Sequence, residues 1–503
     1  MNNGELKPRI REAIWSVVDR HASVQSATLT GSFIDRPTLE GISDIDLVLV
    51  LDRINRDRFD SLMADFTATL TPILAEFGFR LRLNPTLGPL KFNEPELAVL
   101  HVMLYSVAGH IAHVIDSPFT CLDWQRSPAI RKRSLAEVYP VFGLQPRHFL
   151  GARRSLSDYL RDFRANAVSY RELICDESGY QERKQAKPMT IRDRHEFAYH
   201  VMRFLMRNLL KLVQRRNDVA TGADLPETFF AIFPVGRDRY EPLLAELTRR
   251  KLALDFDPPL AGLDAELEAF LADFEQQFRR IFEMEATTHL VFRHAETTGN
   301  RTAAGELRFL GRSDAPIHAI ADSQARSIAE QLARHAPSAV WSSPAGRCRA
   351  TLAALAAVFP AEFPLPMIQT DERLLEIDYG QLDGLSISEA RRQFPEMFTA
   401  WARGDDPTFP GGENTEQVAQ RVRAFADTIW ATASGNTITC THNGVIRCLV
   451  GELLGMPMSQ WFRLQVPHLE PITVIQTREF GRFVNLPEST ERALFQSFAK
   501  QPE

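Results

Sequence analysis

The spacing of apolar residues along the chain changes twice. In about the first 120 residues, short apolar runs of the kind found in strands surround one stretch with helical spacing, RFDSLMADFTATLTPILAEFG. The runs are SATLTGS, DIDLVLVLD, LAVLHVMLYS and HIAHVID. From about Pro140 to Met284, apolar residues recur every three or four positions and the strand pattern disappears, whereas after Ala286 short apolar runs again alternate with helical stretches. These patterns predict a mixed α/β region, a helical region and an α/β region with a parallel sheet, in that order.

The length of the chain supports the same division. At 503 residues it exceeds what one hydrophobic core can organise, and a typical domain size of about 150 residues suggests about three units. We therefore predict a multidomain α/β and α protein, with a mixed α/β domain at residues 1–125, a helical domain at residues 126–285 and an α/β domain at residues 286–503.

Composition and charge restrict the partners and the compartment that we expect. Hydrophobic residues make up 44% of the chain and the formal net charge is -6, which is typical of a globular protein and makes nucleic acid or an anionic membrane an unexpected partner. The 5 cysteines are scattered without a CxxC pair, so neither a disulfide framework nor a zinc site is predicted. The charged start MNNGELKPRIREAIW is unlike a signal peptide, and no run approaches the roughly 18 apolar residues of a membrane span. We expect a cytoplasmic protein.

Three segments of the last region share one pattern: a short apolar strand, a turn and a helix, with a cationic or imidazole side chain just after the strand. The segments are LVFRHAETTGN, with Arg293 and His294, VWSSPAGRCRATL, with Arg347, and ITCTHNGVIR, with His442. Parallel strands end along one edge of a sheet, so these four side chains should converge there. Arginine forks match phosphate oxygens, and Gly444 ahead of the last helix can offer its backbone N–H. The pattern therefore predicts a phosphate-binding site.

The same pattern predicts chemistry at the phosphate. Nearby cations lower the pKa of a histidine, which leaves a ring nitrogen of His294 free to attack phosphorus. The segment LLEIDYGQLDG places Glu376 at an apparent further strand end. A carboxylate beside a dianionic phosphate is readily protonated and can then donate a proton to the leaving alcohol. We predict His294 as the nucleophile and Glu376 as the general acid.

These residues coincide with the motifs of a known family. RHAETTGN resembles the RHGETxxN signature of the histidine phosphatase superfamily, which is phosphoglycerate mutase-like. The segments SSPAGRCRAT, LLEIDYGQLDG and THNGVIR are similar to its SSPxxRxxxT, LxExxxGxxxG and SHGGVIR segments, in the family's order and over about 190 residues. The departures are small: Ala295 replaces a glycine, and Asn443 replaces the first glycine of SHGG.

The resemblance implies a three-layer α/β/α domain and a two-step phosphatase that needs no metal or other cofactor. It implies His294 as the phosphorylated nucleophile and Glu376 as the proton donor. The phosphate pocket that it implies consists of Arg293, Arg347, His442 and, as a further contact, Asn300. Mutases of the family carry longer insertions between the first histidine and the acidic motif, whereas this segment is compact here, so a phosphatase acting on a small phosphomonoester is favoured over a mutase.

The first region holds a second group of candidate residues. The segment TLTGSFIDRPTLEGISDIDLVLVLD places Gly31 and Ser32 after one strand, with Asp44 and Asp46 on the next. Because side chains alternate, the two carboxylates share one face about 7 Å apart, which suits joint binding of Mg²⁺ with a nucleotide's phosphates. The Gly-Ser turn admits phosphates close to the backbone. This pattern resembles the GS...DxD signature of the polymerase-beta-like nucleotidyltransferase superfamily over about the first 120 residues, which implies a nucleoside triphosphate as substrate, Mg²⁺ as cofactor and a small-molecule acceptor.

The third carboxylate of that superfamily has no single counterpart here. The strand LAVLHVMLYS presents His101 where the family carries an acidic residue. Asp116 in HVIDSPF could serve instead, and Glu94 and Glu96 fall in a predicted loop. Without the carboxylate, the domain either binds a nucleotide without transferring it or uses His101 as the base.

Basic residues recur at helical spacing in the middle of the chain. One interpretation is a solvated helix face, and the other is that they hold a triphosphate or an anionic acceptor against the two aspartates. The residues are Arg153, Arg154, Arg161, Arg164, Arg203, Arg207, Lys211, Arg215 and Arg216.

The sequence as a whole predicts a bifunctional enzyme, in which a histidine phosphatase is fused to a Mg²⁺-dependent nucleotidyltransferase. Two alternatives remain open. The first half can instead be a nucleotide-binding sensor, without catalysis of its own, that regulates the phosphatase. It can also be a protein-binding or nucleic-acid-binding module that uses the arginine-rich helices.

Overall fold

The chain divides into two compact units in a computed structural model. The structure describes residues 3–35, 44–87, 96–151, 156–176, 179–363 and 365–499. One unit comprises residues 1–144 with 148–275, and the other comprises residues 145–147 with 276–503. Glu94, Arg153 and Arg154, which sequence analysis singled out, lie outside the described residues. No helix in the described ranges is long and apolar enough to cross a membrane.

Two sheets form the framework of the first unit. In the part of the chain that the structure describes, the larger has the order β3-β5-β2-β1-β6, in which β2, β5 and β3 are parallel and β1 runs antiparallel to both neighbours. The smaller has the order β4-β7-β8 and is antiparallel. The strands are β1 (Val24–Thr30), β2 (Ile45–Leu51), β3 (Arg80–Asn84), β4 (Thr86–Leu87), β5 (Leu97–Ser106), β6 (Ile130–Lys132), β7 (Ala167–Asp176) and β8 (Gly179–Pro188).

Helices cover this framework and continue through the second half of the unit. They are α1 (Asn3–Arg20), α2 (Ser32–Asp35), α3 (Arg56–Ala75), α4 (Val107–Asp116), α5 (Pro118–Gln125), α6 (Leu135–Val138), α7 (Leu156–Arg164), α8 (Ile191–Gln214), α9 (Asp224–Ile232), α10 (Arg237–Ala253) and α11 (Leu263–Arg279). The predicted helix in the first region is α3, which begins where Asn55 caps the backbone N–H of Arg58. Its buried residues Leu62, Phe66 and Leu70 lie four positions apart and join the core of β1, β2 and β5.

Two segments differ from their sequence-based prediction. The run HIAHVID forms helix α4 and not a strand, because Ser106 caps the backbone N–H of Gly109 and starts a helix at once. The middle of the chain was predicted to be wholly helical, yet β7 and β8 form a long hairpin there. Helix α7 ends where Asn166 adopts a φ of 50°, and Val168, Tyr170 and Ile174 then favour an extended chain.

The second unit is built on one sheet with helices between its strands, as predicted, but the sheet is mixed and not wholly parallel. Over the described residues its order is β11-β10-β12-β9-β13-β14. The first four strands are parallel, and β13 and β14 are antiparallel additions. The strands are β9 (Thr287–Arg293), β10 (Ala339–Ser342), β11 (Ile368–Thr370), β12 (Thr437–Thr441), β13 (Ile472–Gln476) and β14 (Arg482–Asn485).

The helices of this unit pack on the sheet from connections between its strands. They are α12 (Asp322–Arg334), α13 (Gly346–Ala356), α14 (Ile387–Gln393), α15 (Pro395–Ala402), α16 (Thr415–Phe425), α17 (Asn443–Leu453), α18 (Glu488–Leu494) and α19 (Gln496–Ala499). Helices α12 and α13 share a core with β9, β10 and β12. Leu290 and Phe292 of β9 are two positions apart, so both side chains point into this core. Helices α16 and α17 pack against each other, and α17 also contacts β9. This arrangement brings the carboxyl ends of β9, β10 and β12 side by side.

Candidate functional site

The carboxyl ends of three adjacent parallel strands bring the predicted phosphatase residues together. Arg293 is the last residue of β9, and it pairs in register with Thr441 at the end of β12. His294 and His442 follow directly, and their ring centroids are 5.1 Å apart. Arg347 enters from the first turn of α13, after β10. The sequence-based prediction that these side chains converge therefore agrees with the geometry.

Arg347 joins the two imidazoles. Its Nε lies 3.2 Å from Nε2 of His294 and 3.2 Å from Nδ1 of His442. Its two terminal nitrogens donate to the backbone carbonyls of Gly311 and Ser313, each at 2.8 Å. Because the side chain is buried and held at both ends, its charge has a fixed position between the two rings.

His294 is held as a neutral imidazole whose Nε2 accepts a hydrogen bond from the Nε–H of Arg347. Its Nδ1 lies 2.7 Å from the carbonyl oxygen of Ala295, and because a carbonyl only accepts, Nδ1 must carry the proton. Burial lowers the pKa of His294 to about 2, and the charges of Arg293 and Arg347 add to that effect. The lone pair on Nε2 is therefore available to attack an electrophile.

His442 is neutral for similar reasons. Its ring is fully buried, and this burial, reinforced by Arg347 and His294, holds the pKa of His442 well below its usual range. Nε2 of the ring lies 2.7 Å from Oγ of Ser343. The residue also precedes helix α17, so the first free backbone N–H groups of that helix lie beside it.

Glu376 reaches the site by a different route from the one predicted. It does not stand at a strand end: β11 stops at Thr370, and Glu376 follows a 3-10 turn at Glu372–Leu374. Its buried carboxylate accepts hydrogen bonds from the backbone N–H of Ile377 and of Gly444, both at 2.9 Å. A Cβ at position 444 would lie 2.4 Å from Oε1 of Glu376, so any other residue there would require this carboxylate to move.

The remaining predicted pocket residues are anchored to the loops around the site. Arg293 donates to the carbonyl oxygen of Val466 at 3.0 Å. Desolvation lowers the pKa of Arg293 to about 10, although the Glu376 carboxylate opposes this. Oδ1 of Asn300 accepts from the backbone N–H and hydroxyl of Thr297, at 2.8 and 2.7 Å. Asn300 therefore fixes its own loop and keeps only its amide N–H groups for a phosphate.

Several residues of the site were missed by sequence analysis. Ser343 and Thr351 lie inside the quoted motif SSPAGRCRAT, and the Thr351 hydroxyl accepts from the backbone N–H of Ala295 at 3.0 Å. Arg421 donates to the carbonyl oxygens of Leu375 and Glu376, and thus supports the loop that carries the carboxylate. The motif itself marks the first two residues. The position of Arg421 depends on how helix α16 packs, which no local pattern reveals.

Sequence analysis also missed His468, which contacts the predicted nucleophile His294. Its Nδ1 lies 2.6 Å from the carbonyl oxygen of His294, and the two ring centroids are 5.5 Å apart. Burial lowers the pKa of His468 to about 4, with the charge of Arg293 as the next cause. No motif in VPHLEPIT signals this contact, because it follows from the neighbouring paths of two loops.

The first unit brings its own predicted residues together. Strands β2 and β5 are parallel, and their register sets Asp46 directly beside His101. Nδ1 of His101 lies 2.9 Å from Oδ1 of Asp46, and Nε2 lies 2.8 Å from the carbonyl oxygen of Thr86. Asp44 is buried next to them, and one ligand atom from each of the three side chains lies within 4.8 Å of the others. His101 thus occupies the place where the resemblance expects a third carboxylate.

The turn before helix α2 shapes this cluster. Gly31 has a φ of +70°, and a Cβ there would lie 2.5 Å from Oδ2 of Asp46. Glycine is therefore required both for the left-handed backbone and for the close approach of the carboxylate. Ser32 begins helix α2 immediately afterwards.

A cavity of about 670 Å³ opens beside the cluster within the first unit. Helices α7 and α8 and the β7–β8 hairpin line it together with the three ligand residues. Among the basic residues singled out from the sequence, Arg161, Arg203 and Arg207 lie on its wall.

The other described members of the basic series are engaged elsewhere. Lys211 contacts Asp123 at 2.5 Å, Arg164 pairs with Glu268, and Arg216 pairs with Asp218. Arg215 forms the C-cap of α8. Two further carboxylates that the sequence left as candidates, Glu96 and Asp116, are not among the described residues of the cavity wall.

Comparison with known proteins agrees with this geometry in the second unit. Residues 289–488 match the profile of the histidine phosphatase superfamily, branch 1. Phosphoserine phosphatase 1 of Hydrogenobacter thermophilus is 26% identical over 175 residues, which cover 34% of this chain and 79% of that protein. A bifunctional protein of Mycobacterium tuberculosis is 29% identical over 182 residues, which cover 36% of this chain and 48% of that relative, or about half its length.

Solved structures show a likeness over the same share of the chain. The structure of a mycobacterial glucosyl-3-phosphoglycerate phosphatase aligns over 40% of this chain and 98% of its own length, with a TM-score of 0.34 and 23% sequence identity. Residues 289–488 thus form a domain of the histidine phosphatase superfamily, and relatives of this domain support phosphatase activity.

Proposed function

We propose that this chain is a phosphatase of small phosphomonoesters that works through a phosphorylated His294, fused to a unit that binds a nucleotide and transfers its nucleotidyl group to a small acceptor. One observation supports the phosphatase above all others. The unprotonated Nε2 of His294 lies 3.2 Å from the Nε of the buried Arg347, with Arg293 and His442 beside it. A lone pair amid fixed cations suits attack on an anionic phosphorus centre.

The first chemical step transfers the phosphoryl group to the histidine. Arg293 and Arg347 neutralise the phosphate oxygens, whereas the N–H of Gly444, predicted for the same purpose, donates to Glu376. Nε2 of His294 forms the new bond to phosphorus as the bond to the leaving oxygen breaks. Glu376, protonated before the step, donates its proton to that oxygen as the general acid.

The second step returns the enzyme to its starting state. Glu376, now a carboxylate, accepts a proton from water, and the water oxygen attacks phosphorus as the bond to His294 breaks. The hydrogen bond from Nδ1 of His294 to the Ala295 carbonyl keeps the ring in one orientation through both steps. The products are an alcohol and inorganic phosphate.

The proposal for the first unit rests on the cluster of Asp44, Asp46 and His101 and on the cavity beside it. Two carboxylates and an imidazole can hold a divalent cation, which would neutralise the phosphates of a bound nucleoside triphosphate. Mg²⁺ is the cation that the sequence suggests. Arg203 and Arg207 line the same cavity and supply further positive charge for a phosphate chain.

A second candidate for the first unit is a nucleotide sensor that regulates the phosphatase. The observation that favours it is His101, which replaces the third carboxylate and is already bonded to Asp46 at 2.9 Å. A base for the acceptor hydroxyl is then missing from its expected place. In that case nucleotide binding would alter phosphatase turnover without any release of pyrophosphate.

A metabolite screen of the full chain tests these functions together, with phosphate and pyrophosphate scored separately. The wild type, His294→Ala and Asp46→Asn should differ as follows. Phosphate release from monoesters should disappear in His294→Ala and persist in Asp46→Asn, whereas pyrophosphate release from triphosphates should disappear only in Asp46→Asn. Phosphate release by His294→Ala would contradict the phosphatase proposal. Nucleotide binding with no pyrophosphate across many acceptors would favour the sensor.

A further inference from the structure

The cluster in the first unit offers a nitrogen ligand where an all-oxygen magnesium site would have a third carboxylate. We propose that Asp44, Asp46 and His101 bind a divalent cation of the first transition row, such as Mn²⁺, Co²⁺ or Zn²⁺, in preference to Mg²⁺. This inference deepens the function proposed for the first unit and rests on it. It names the class of metal that the residues of this chain select.

Both ring nitrogens of His101 make hydrogen bonds, and a metal ion would take the place of the proton that Nδ1 shares with Asp46. Nε2 lies 2.8 Å from the carbonyl oxygen of Thr86, and since a carbonyl only accepts, Nε2 is the donor. The other nitrogen, Nδ1, faces Oδ1 of Asp46. A histidine that donates from one ring nitrogen to a backbone carbonyl, with its second nitrogen directed at the ion, is the usual arrangement of a metal ligand.

The backbone fixes the spacing of the three ligands. Asp46 and His101 are paired positions of the parallel strands β2 and β5, and Asp44 is two residues before Asp46. One ligand atom from each lies within 4.8 Å of the others, and the shortest separation, between Nδ1 of His101 and Oδ1 of Asp46, is 2.9 Å. Ligand atoms bonded to one ion at about 2.0 to 2.2 Å are about 3 to 4 Å apart. The ion therefore needs only small side-chain movements.

The donor set decides which ion fits. Mg²⁺ binds oxygen ligands in a strict octahedron and gives up its water reluctantly, whereas imidazole suits the later divalent ions of the first transition row. His101 is buried between two strands and cannot withdraw from the cluster. An Mg²⁺ ion would have to keep a water in front of this ring, whereas Co²⁺ or Zn²⁺ can bond to it directly.

An independent feature points to a ligand at the same place. The cavity of about 670 Å³ begins at these three residues, so an ion here has space for water or phosphate oxygens in its remaining positions. Gly31 lets the Asp46 carboxylate lie close to the backbone, because a Cβ there would be 2.5 Å from Oδ2 of Asp46. The cluster is thus buried by the sheet and also open toward a cavity whose wall carries both carboxylates and cations, among them Arg203 and Arg207.

Metal binding to the full chain, measured by calorimetric titration with Co²⁺ and with Mg²⁺ alone, tests the proposal. Wild type should bind one Co²⁺ in this unit at least about tenfold more tightly than Mg²⁺. His101→Asp should lose about 10- to 100-fold in Co²⁺ affinity and bind Mg²⁺ at least as well as before, because an oxygen ligand replaces nitrogen. His101→Gln should also lose Co²⁺ affinity. This uncharged variant replaces His101→Asp in the test if the added carboxylate prevents that variant from folding.

Matched controls exclude other sites. The exposed His318→Ala, in the other unit, and His294→Ala, in the phosphatase site, should keep the tight Co²⁺ site, whereas Asp46→Asn should lose it. Unchanged phosphatase turnover in the His101 variants shows that the second unit remains folded. Equal affinities of wild type for Co²⁺ and Mg²⁺, or full Co²⁺ affinity in both His101 variants, would overturn the proposal.

The outcome also separates the metal from the reaction. Pyrophosphate release that runs equally well with Mg²⁺, together with no preference for Co²⁺, would refute the metal assignment and leave the transferase in place. Tight Co²⁺ binding without pyrophosphate release from any triphosphate would support the metal site and refute the transferase.

Discussion

Two buried histidines, one in each unit, have opposite surroundings. Burial and the charges of Arg293 and Arg347 lower the pKa of His294 to about 2, so its imidazole is neutral. Burial also lowers the pKa of His101, but hydrogen bonding and charge from Asp46, followed by the charge of Asp44, outweigh it and raise that pKa. The depth of a histidine therefore does not decide its protonation; the sign of the neighbouring charges does. The charges around His294 suit an anion, whereas those around His101 suit a cation.

Of the changes considered, replacement of the neutral His294 should reduce phosphatase turnover most. In His294→Ala, turnover of a generic aryl phosphate should fall by about 10⁴-fold or more, because no other side chain in the site can take the nucleophile's part. Radiolabelled phosphate should be trapped on wild type quenched in alkaline denaturant, as an acid-labile, base-stable adduct, and be absent from the variant. The exposed His318→Ala is the control and should keep full activity. A labelled adduct on the variant would show that another residue is the nucleophile.

Glu376→Gln should have the next largest effect. The amide can still contact Gly444 but cannot donate an acidic proton, so hydrolysis of an alkyl phosphate should slow by about 100-fold or more. An aryl phosphate with a good leaving group should be affected much less, because its leaving oxygen needs little protonation. Glu372→Gln, on the same segment but exposed, should behave as wild type. Equal losses for the two substrates would remove Glu376 from the role of general acid.

The difference between the two units also explains what the sequence could predict. In the second unit, the two imidazoles come directly after buried strands, so the alternation of strand and helix was enough to place His294 and His442 at one edge of a sheet. Glu376 was predicted in the right site but on the wrong element, because a 3-10 turn after β11 carries it there. His468 and Arg421 were missed, since they reach the site through loop and helix packing with partners 174 and about 45 positions away in sequence.

In the first unit, local pattern placed the aspartates but not their surroundings. Register between β2 and β5 sets His101 beside Asp46, and register depends on the whole sheet rather than on any one segment. The hairpin of β7 and β8 was predicted as helix, because apolar residues at three- and four-residue spacing continue past Asn166, where the chain turns. The boundaries of the three predicted domains stay a prediction, and the structure groups the described residues into two compact units.

A substitution at Gly444, whose backbone N–H donates to Glu376, should reduce phosphatase turnover less. In Gly444→Ala the added Cβ would lie 2.4 Å from Oε1 of Glu376, so the carboxylate must move away from the start of α17. We expect a loss of about tenfold or more in kcat, with a smaller change in KM, because a displaced proton donor affects the reacting complex more than binding. Gly435→Ala is the matched control: it is outside the site, and its Cβ would meet only the side chain of Ser338. Unaltered kcat in Gly444→Ala would mean that the carboxylate can act from more than one position.

The smallest effect concerns stability and extends the comparison beyond the active site. Burial, followed by the charges of His335 and Arg482, lowers the pKa of His289 to about 3, and its ring stacks on Trp430 with centroids 4.9 Å apart. Above pH of about 6.5 the residue is neutral in both the folded and unfolded states. As the pH falls below that value, only the unfolded chain gains the proton. The free energy of unfolding should therefore decrease by up to about 1.4 kcal/mol per pH unit for this one group.

The variant His289→Phe isolates this contribution, because it keeps an aromatic ring against Trp430 and removes the titrating group. At pH 8 it should lose about 1 kcal/mol with the hydrogen bond to Thr437, whose Oγ1 lies 2.9 Å from Nδ1. Between pH 6 and 4 its loss of stability should be shallower than that of wild type by about 1.4 kcal/mol per pH unit. Guanidinium titrations read by hydrogen exchange in β9 peptides measure both quantities for the second unit alone. Parallel pH curves for the two proteins would show that His289 takes up its proton in the folded state, contrary to the neutral imidazoles that characterise this unit.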